Sequence, residues 1–300
     1  MSKKGTLSLK GLAILMIIVQ HLGQNYHIGL VNPLGPIGVF IFLFCSGYGL
    51  QQSYKISGTK RYFRKKLVKV YIPFLVSILL FCVFTKILRL HDDINILNFV
   101  FLIDLPQGSF WYLRLQFYWY FAFWILKNLR IPDKANAICM MGISVLTIFL
   151  SSFNALYIWQ VFSFPMGVIA ADYMKSKIAT NKKIVGIVLI FIASVIVKKL
   201  PIVDDNELGL ADISCGLIMT IAGAVSLIEL VKRIKVKDSN LLVFEKVGEY
   251  SYELYLSHIL FLDYLKFSGN IATYSFITLF CFVILAILNK IVLRFLSTIA

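Results

Sequence analysis

Charged residues are scarce in this sequence. Only 15% of the 300 residues are charged, whereas a soluble domain carries about 25%. Hydrophobic residues reach 59%, which is more apolar surface than one soluble core can bury. Because a membrane-spanning helix needs about 20 mainly apolar residues, the composition excludes an ordinary soluble domain. It predicts an all-α polytopic membrane protein.

Cysteine is also scarce, with five residues in the chain. Every one lies in an apolar run, and the sequence contains no C-x-x-C pair and no cluster of Cys and His. We therefore expect neither disulfide bonds nor a metal site. The five are Cys45, Cys82, Cys139, Cys215 and Cys281.

Acidic residues are outnumbered two to one, 15 against 30 Lys and Arg, which gives a net charge of +15. In a soluble chain this excess would suggest a nucleic-acid partner. In a membrane protein, the position of each basic residue relative to the spans is more informative. We therefore expect contacts with membrane lipids and no nucleic-acid partner.

About ten apolar segments are predicted to span the membrane. Residues 95–105 are apolar but too short to span, and we interpret them as a re-entrant or interfacial piece. The first span is not expected to be a removable signal peptide, since no small-residue cleavage site follows it and more spans do. We expect one integral-membrane domain over residues 1–300, with no additional soluble domain. The segments are roughly 8–26, 34–52, 69–88, 110–127, 135–151, 155–173, 184–198, 209–231, 248–265 and 271–293.

The distribution of Lys and Arg predicts the topology. With the N-terminus in the cytoplasm, 24 of the 30 basic residues lie on the cytoplasmic side, seven of them in the loop Tyr54–Lys69. An excess of Lys and Arg on cytoplasmic loops is the rule for membrane proteins. Both termini are therefore expected in the cytoplasm, with the protein in the cell (plasma or inner) membrane. The six on the other side are Lys86, Arg89, Arg114, Lys198, Lys199 and Lys266.

Two ionisable residues share one face of the first span. Lys10 and His21 are 11 positions apart, which is about 20° past three helical turns and a rise of about 16 Å. Lys10 is expected at the inner interface and His21 toward the outer half of the membrane. An ordinary interpretation remains open, in which His21 bonds a neighbouring helix and Lys10 extends to the headgroups. Ionisable groups inside membranes are nevertheless functional candidates, and histidine can accept a proton near neutral pH.

Five motifs follow one another along the chain. The first helix has a basic residue, ten intervening residues and then histidine, and the second has a Ser-Gly-aromatic segment. A basic loop leading into a proline-bearing third helix, a Trp-aromatic-Leu segment and a Gly-x-x-Ser-Tyr…Tyr-Leu-x-His helix follow. These are "LKGLAILMIIVQH" (9–21), "FIFLFCSGYGL" (40–50), "KRYFRKKLVKVYIPF" (60–74), "SFWYLRLQFYWY" (109–120) and "VGEYSYELYLSHI" (247–259). In this order they resemble the segments of the membrane acyltransferase-3 family.

The resemblance implies a ten-span O-acyltransferase of sugars or cell-surface polysaccharides. Acetyl-CoA from the cytoplasm would be the donor substrate, with no permanently bound cofactor. His21 would be the general base and Lys10 would stand where the family usually has arginine. Arg61, Arg64 and Lys65 are suited to bind the phosphates of coenzyme A. The two arginines would share a face if this stretch is helical. The same cluster could also serve only topology and anionic lipids.

Candidates for contacting the acceptor or the oxyanion are Ser46, Tyr48, Trp111, Arg114 and Tyr118. Arg114 lies about one turn inside its span, and contact with outer headgroups explains it equally well. The aromatic residues are also typical of an interfacial belt, and Trp111 is singled out by the family motif. A covalent acetyl-enzyme on His21 or Ser46 stays open.

The helix near the C-terminus has one polar face. Ser251, Tyr255 and His258 follow an i, i+4, i+7 spacing, with Tyr252 and Glu253 beside them. We interpret His258 as a network or packing residue rather than a second base. Three other acidic residues, Asp172, Glu229 and Asp263, lie near span ends, where solvation explains them.

Two other functions remain open from the sequence. In a transporter or flippase for a polysaccharide precursor, the same polar helices would line the path of the substrate. Transporters often show two related halves, however, and this sequence has no such internal symmetry. A purely structural membrane protein would leave Lys10, His21 and Arg114 unexplained. The main prediction is therefore a membrane O-acyltransferase, most simply an O-acetyltransferase that acts on a carbohydrate or lipid-linked glycan.

Overall fold

The computed structural model describes residues 1–87, 96–101, 110–150, 154–173, 179–200, 203, 209–234, 241–260, 262, 265 and 269–299, and no strand occurs among them. Long apolar runs form helices because a helix satisfies its own backbone groups. The described helices are α1 Lys3–Asn25, α2 Leu34–Ser57, α3 Tyr62–Lys66, α4 Ile72–Ile87, α5 Ile96–Val100, α6 Trp111–Asn128, α7 Asp133–Leu150, α8 Ala155–Ile158, α9 Ser163–Tyr173, α10 Asn181–Lys198, α11 Leu210–Arg233, α12 Leu242–Glu249, α13 Ser251–Leu260 and α14 Ile271–Ile299.

The all-α prediction is confirmed for the described residues. Within them, six helical segments are long and apolar enough to cross a membrane. The count of about ten spans and the cytoplasmic position of both termini stay predictions. The six are Lys3–Asn25, Gly29–Ser57, Tyr62–Ile87, Ala155–Tyr173, Leu210–Arg233 and Ile271–Ile291.

Three predicted segments differ from the structure at their ends or in their middle. The last-but-one segment, predicted as continuous over 248–265, is interrupted at Tyr250, between α12 and α13. The third segment, predicted to begin at residue 69, begins in the structure within a π-helical turn over Leu67–Tyr71 that directly follows α3. Only part of the re-entrant segment 95–105 is described, and there α5 forms a single helical stretch. Residues 102–105 lie outside the described residues.

The chain divides into two compact units. Unit 1 contains residues 1–59 and 118–249, and unit 2 contains residues 60–117 and 250–300. In unit 1, α1 runs antiparallel to α2, since Gly35 lies against Gln20 and Gly38 lies against Ala13 and Ile17. This order of contacts sets which residues of the two helices lie at the same level.

Helix α9 runs parallel to α2 in unit 1. Gln160, just before α9, donates to the Pro36 carbonyl at 3.0 Å near the start of α2. Asp172, near the end of α9, accepts from Gln51 at 2.8 Å near the end of α2. Between these two contacts Gly47 and Gly167 each face a backbone carbonyl of the other helix. Small residues allow such close approach of two helices.

Polar contacts connect the helix ends on one side of unit 1. At the end that contains Met1, Asp172 pairs with Lys55 at 2.8 Å, and the buried Glu229 pairs with Lys232 at 2.6 Å. Glu229 also accepts from the Ala179 N–H at 3.0 Å. The prediction that Asp172 and Glu229 are merely solvated is wrong, because Asp172 pairs with Lys55 of another helix and Glu229 pairs with Lys232 three residues along its own helix. Asp263 lies outside the described residues.

In unit 2, aromatic rings from three helices form one cluster. The Phe110 ring lies 5.6 Å from Phe74 of α4 and 6.3 Å from Tyr255 of α13. The Tyr112 ring lies 5.2 Å from Tyr255. Edge-to-face contacts of this kind stabilise aromatic pairs beyond their buried area. The cluster therefore connects the start of α6 to α4 and α13.

Candidate active site

Helix α1 presents Lys10 and His21 as the sequence predicts, on one uninterrupted helix from Lys3 to Asn25. Both side chains are partly buried. Lys10 lies seven residues after the first residue of α1, about 10 Å along the axis. It is therefore about two turns inside the helix, and its position at the inner membrane interface stays a prediction.

His21 lies near the other end of α1, at the level of the first residues of α2. Its neighbour Gln20 packs so closely on Gly35 that a Cβ there would lie 2.5 Å from the Gln20 oxygen. Helix α1 ends four residues after His21, at Asn25, where His27 adopts a positive φ of 55°. His21 is thus about one turn from an end of the helix.

Ser46 and Tyr48 do not meet His21. Because α1 and α2 are antiparallel, His21 is level with the start of α2, whereas Ser46 and Tyr48 lie 11 and 13 residues beyond Gly35. At 1.5 Å per residue these separations are about 16 and 20 Å. The Tyr48 hydroxyl instead contacts Met1, whose amine donates to it at 2.7 Å. Ser46 and Tyr48 are therefore too far along α2 to serve as oxyanion donors beside His21, whereas a covalent acetyl-enzyme on His21 or Ser46 stays a prediction.

Sequence reasoning missed two glutamines that lie at the level of His21. Gln20 is 7% exposed and Gln160 is 1% exposed, and they contact the consecutive residues Gly35 and Pro36. Within the described part of the chain, the buried Oε1 of Gln160 has no hydrogen-bond partner. No local pattern links these two residues, since Gln20 precedes His21 whereas Gln160 stands alone in an apolar segment far along the chain, and they converge only through the helix packing.

The proposed donor segment opens unit 2. Arg61, Arg64 and Lys65 are all exposed. Arg61 precedes α3 with a φ of 54°, in the left-handed region, and its carbonyl accepts from the Lys65 N–H at 3.1 Å. The two arginines therefore do not share a helical face, because only Arg64 has helical backbone. Both side chains are nevertheless exposed on the surface of the protein.

The segment leads into α4 through the π-helical turn Leu67–Tyr71, in which the Ile72 N–H bonds to the Leu67 carbonyl. Pro73 explains the turn, since proline has no N–H and its ring collides with the carbonyl four residues earlier. A wider turn relieves that collision. Such π-turns are rare and occur often at functional sites.

The acceptor candidates on α6 occupy different surroundings. Trp111 is the first residue of α6 and is partly buried, and its neighbour Tyr112 belongs to the aromatic cluster with Tyr255. Arg114 is exposed and lies one turn further along. The Tyr118 hydroxyl accepts a hydrogen bond from Thr147 at 3.3 Å in unit 1.

The polar residues of α13 are mostly buried. Ser251 and Glu253 are each 4% exposed. His258 donates from Nδ1 to the Leu254 carbonyl at 2.8 Å, because a carbonyl oxygen can only accept. Its own carbonyl accepts from the Tyr274 hydroxyl at 3.1 Å, and its ring lies 5.9 Å from Tyr255. His258 therefore belongs to the packed interior of unit 2.

Tyr252 is the residue of α13 that reaches the π-turn. Its hydroxyl donates to the Val70 carbonyl at 2.8 Å. Among the described residues, no group of three His, Cys, Asp or Glu side chains is arranged to hold a metal ion. By their residue types, His21 is able to transfer a proton and the basic segment is able to bind an anion, and both roles stay predictions.

The comparisons with known proteins agree with the resemblance seen in the sequence. A family model described as an acyltransferase domain matches residues 8–293. No curated protein and no solved structure matches the chain. The match includes Lys10 and His21, the basic segment of unit 2 and the polar helix α13. Because this match spans nearly the whole chain and the described helices include six that can cross a membrane, the chain belongs to the acyltransferase-3 family and is a multi-pass membrane acyltransferase.

Proposed function

We propose that this enzyme transfers an acetyl group from cytoplasmic acetyl-CoA to a hydroxyl of a surface or exported polysaccharide, or of its lipid-linked precursor. The cell membrane is the proposed location. The observation on which the proposal rests is the pair on α1, with His21 one turn from a helix end and Lys10 on the same face. A base near a helix end can be reached by an acceptor that stays outside the membrane.

The reaction requires one proton transfer and one acyl exchange. His21 removes the proton from the acceptor hydroxyl while the oxygen attacks the thioester carbonyl carbon. A C–O bond forms, the negative charge passes to the carbonyl oxygen, and that oxyanion needs a nearby donor. The C–S bond then breaks, and the coenzyme A thiolate leaves and takes up the proton. The products are the acetyl ester and coenzyme A.

Donor binding is proposed for the basic segment of unit 2. Coenzyme A carries several phosphate charges, and arginine forms strong charge-assisted bonds with phosphate. Arg61, Arg64 and Lys65 are exposed, which supports access from water. Acceptor contacts are proposed for Trp111, Arg114 and Tyr118, since aromatic rings can stack on sugar faces and arginine can bond hydroxyls.

The function is tested by proton NMR of surface polysaccharide from cells with and without the gene. We expect the O-acetyl signals to disappear with the gene and to return with the wild-type protein. Unchanged acetylation in every strain would reject the proposal. Unchanged acetylation together with reduced polymer export would instead favour the transporter interpretation.

Replacing both Arg61 and Arg64 with alanine should raise the apparent KM for acetyl-CoA by about 10-fold or more, because alanine cannot donate the charge-assisted hydrogen bonds that a guanidinium group gives to phosphate. The rate at saturating acetyl-CoA should change little. Steady-state kinetics on purified protein measures both values. Lys183→Ala is the matched control, since Lys183 is an exposed basic residue of unit 1. An unchanged donor KM in the double variant would remove the donor-binding assignment.

Replacing Lys10 with arginine should preserve at least about half of the activity. The charge at this position on α1 is kept, and arginine is the residue that the family usually has there. Lys10→Met removes the charge with similar length and should reduce activity strongly. The measurement is the rate of acetyl transfer by Lys10→Arg and Lys10→Met, compared with wild type at equal protein levels. Loss of activity in Lys10→Arg would show that the family motif does not transfer to this position.

A further inference from the structure

The π-turn Leu67–Tyr71 determines the direction in which the basic segment points. A π-turn adds one residue to a helical turn, and one residue corresponds to about 100° of rotation. The side chains before the turn, including Arg64 and Lys65, are therefore rotated by about 100° about the axis of α4 relative to a regular helix. A change in this turn would redirect the cationic side chains without removing any of them.

Pro73 requires a relaxed turn but does not fix its geometry. Proline removes one N–H donor, and several local arrangements can accommodate that loss. Two tyrosine hydroxyls bond to backbone carbonyls around this point. Tyr252 of α13 donates to the Val70 carbonyl at 2.8 Å, and Tyr71 donates to the Val100 carbonyl of α5 at 2.7 Å. The turn is thus held from outside by a side chain of α13.

We propose that Tyr252 is a positioning residue for the acyl donor, whose hydroxyl bond to the Val70 carbonyl holds the π-turn so that Arg61, Arg64 and Lys65 face the phosphates of acyl-CoA. This inference rests on the proposed function, since it assumes that acyl-CoA is the donor. It explains why a tyrosine stands at this place in α13 with its hydroxyl directed at a main-chain oxygen. Tyr252 touches neither the thioester nor the acceptor in this assignment.

The pair of variants Tyr252→Phe and Tyr250→Phe isolates the hydroxyl bond. Each removes one oxygen from a tyrosine at the start of α13. The Tyr250 ring packs against Phe282 with centroids 6.1 Å apart, so the control keeps that contact. We expect Tyr252→Phe to raise the KM for acetyl-CoA about 5- to 10-fold with kcat within about 2-fold of wild type. Tyr250→Phe should match wild type in both values.

A double-mutant cycle tests whether Tyr252 acts through the arginines. If it does, adding Tyr252→Phe to the Arg61→Ala, Arg64→Ala variant raises the donor KM by less than about 2-fold, because the arginines through which it acts are already absent. A tyrosine with a general packing role would instead multiply the KM by the same factor in both backgrounds. Hydrogen exchange of the amides in residues 67–74 gives a second readout, and it should be faster in Tyr252→Phe than in Tyr250→Phe.

The outcomes separate the two proposals. If wild-type protein binds coenzyme A and transfers acetyl while Tyr252→Phe leaves the donor KM unchanged, the positioning role is overturned and the proposed function stands. A multiplicative cycle overturns the positioning role as well. If wild-type protein neither binds coenzyme A nor transfers acetyl, the proposed function fails and the donor-positioning role fails with it.

Discussion

Replacing His21 with alanine should abolish acetyl transfer in cells, while the protein still accumulates in the membrane. General-base catalysis contributes about 10²- to 10⁴-fold to a rate, so purified enzyme should slow by at least about 100-fold. The side chain is only partly buried, and the α1–α2 packing at this level depends on Gln20 and Gly35. Loss of the imidazole therefore affects the chemistry far more than the fold.

Two further variants make this result specific. His21→Gln keeps a polar side chain of similar size without a basic ring nitrogen, and it should be as inactive as His21→Ala. His27→Asn is the matched control, because His27 is exposed after the end of α1 and its φ of 55° is tolerated by asparagine. Its activity should equal that of wild type. Acetyl transfer within about 2-fold of wild type in His21→Gln would exclude the general-base role.

The helices and the shared face of Lys10 and His21 could be predicted because both depend on local sequence. Apolar length alone identifies candidate spans, and a separation of 11 residues places two side chains on one helical face. The structure confirms α1 as an uninterrupted helix over both residues. The first prediction needed only the length of the apolar runs, and the second needed only the periodicity of one helix.

The set of groups around His21 could not be predicted, because it depends on which helices pack together and in which direction. Ser46 and Tyr48 were chosen from a motif, yet the antiparallel α1–α2 pair places them about three or more turns away. Gln160 reaches this level through the parallel α2–α9 pair. Sequence periodicity gives the face of a helix, but it gives neither its partner nor the level at which two helices meet.

Local strain was equally hidden in the sequence. The proline in the third span was visible, but proline can end, kink or widen a helix. In this protein the proline widens the helix. Only the structure shows this, through the hydrogen bond from the Ile72 N–H to the Leu67 carbonyl and the contact of Tyr252 with the Val70 carbonyl. Helix α12 was missed because its eight residues are too few to span a membrane.

Replacing Gly248 with alanine should destabilise the enzyme severely, because α12 packs backbone to backbone on α1. A Cβ on Gly248 would lie 1.9 Å from the Leu7 carbonyl oxygen, and a Cβ on Gly11 would lie 1.9 Å from the Phe244 carbonyl oxygen. Real contacts of this kind are longer than 3.0 Å, so the two helices must move apart to admit a methyl group. Overpacking of a well-packed contact costs about 1–3 kcal/mol and sometimes more.

The reciprocal geometry makes the effect specific to the α1–α12 contact. Gly11→Ala and Gly248→Ala should each lower the apparent melting temperature in detergent by several degrees, measured by size-exclusion chromatography after heating. Gly49→Ala in α2 and Gly186→Ala in α10 are matched controls, since a Cβ at either position would meet no atom within 4 Å. Alanine favours a helix over glycine by about 1 kcal/mol, so the controls should be as stable as wild type or more so. Equal melting temperatures for Gly248→Ala and Gly49→Ala would contradict the close α1–α12 contact, and with it the reason for glycine at the start of the family's C-terminal motif.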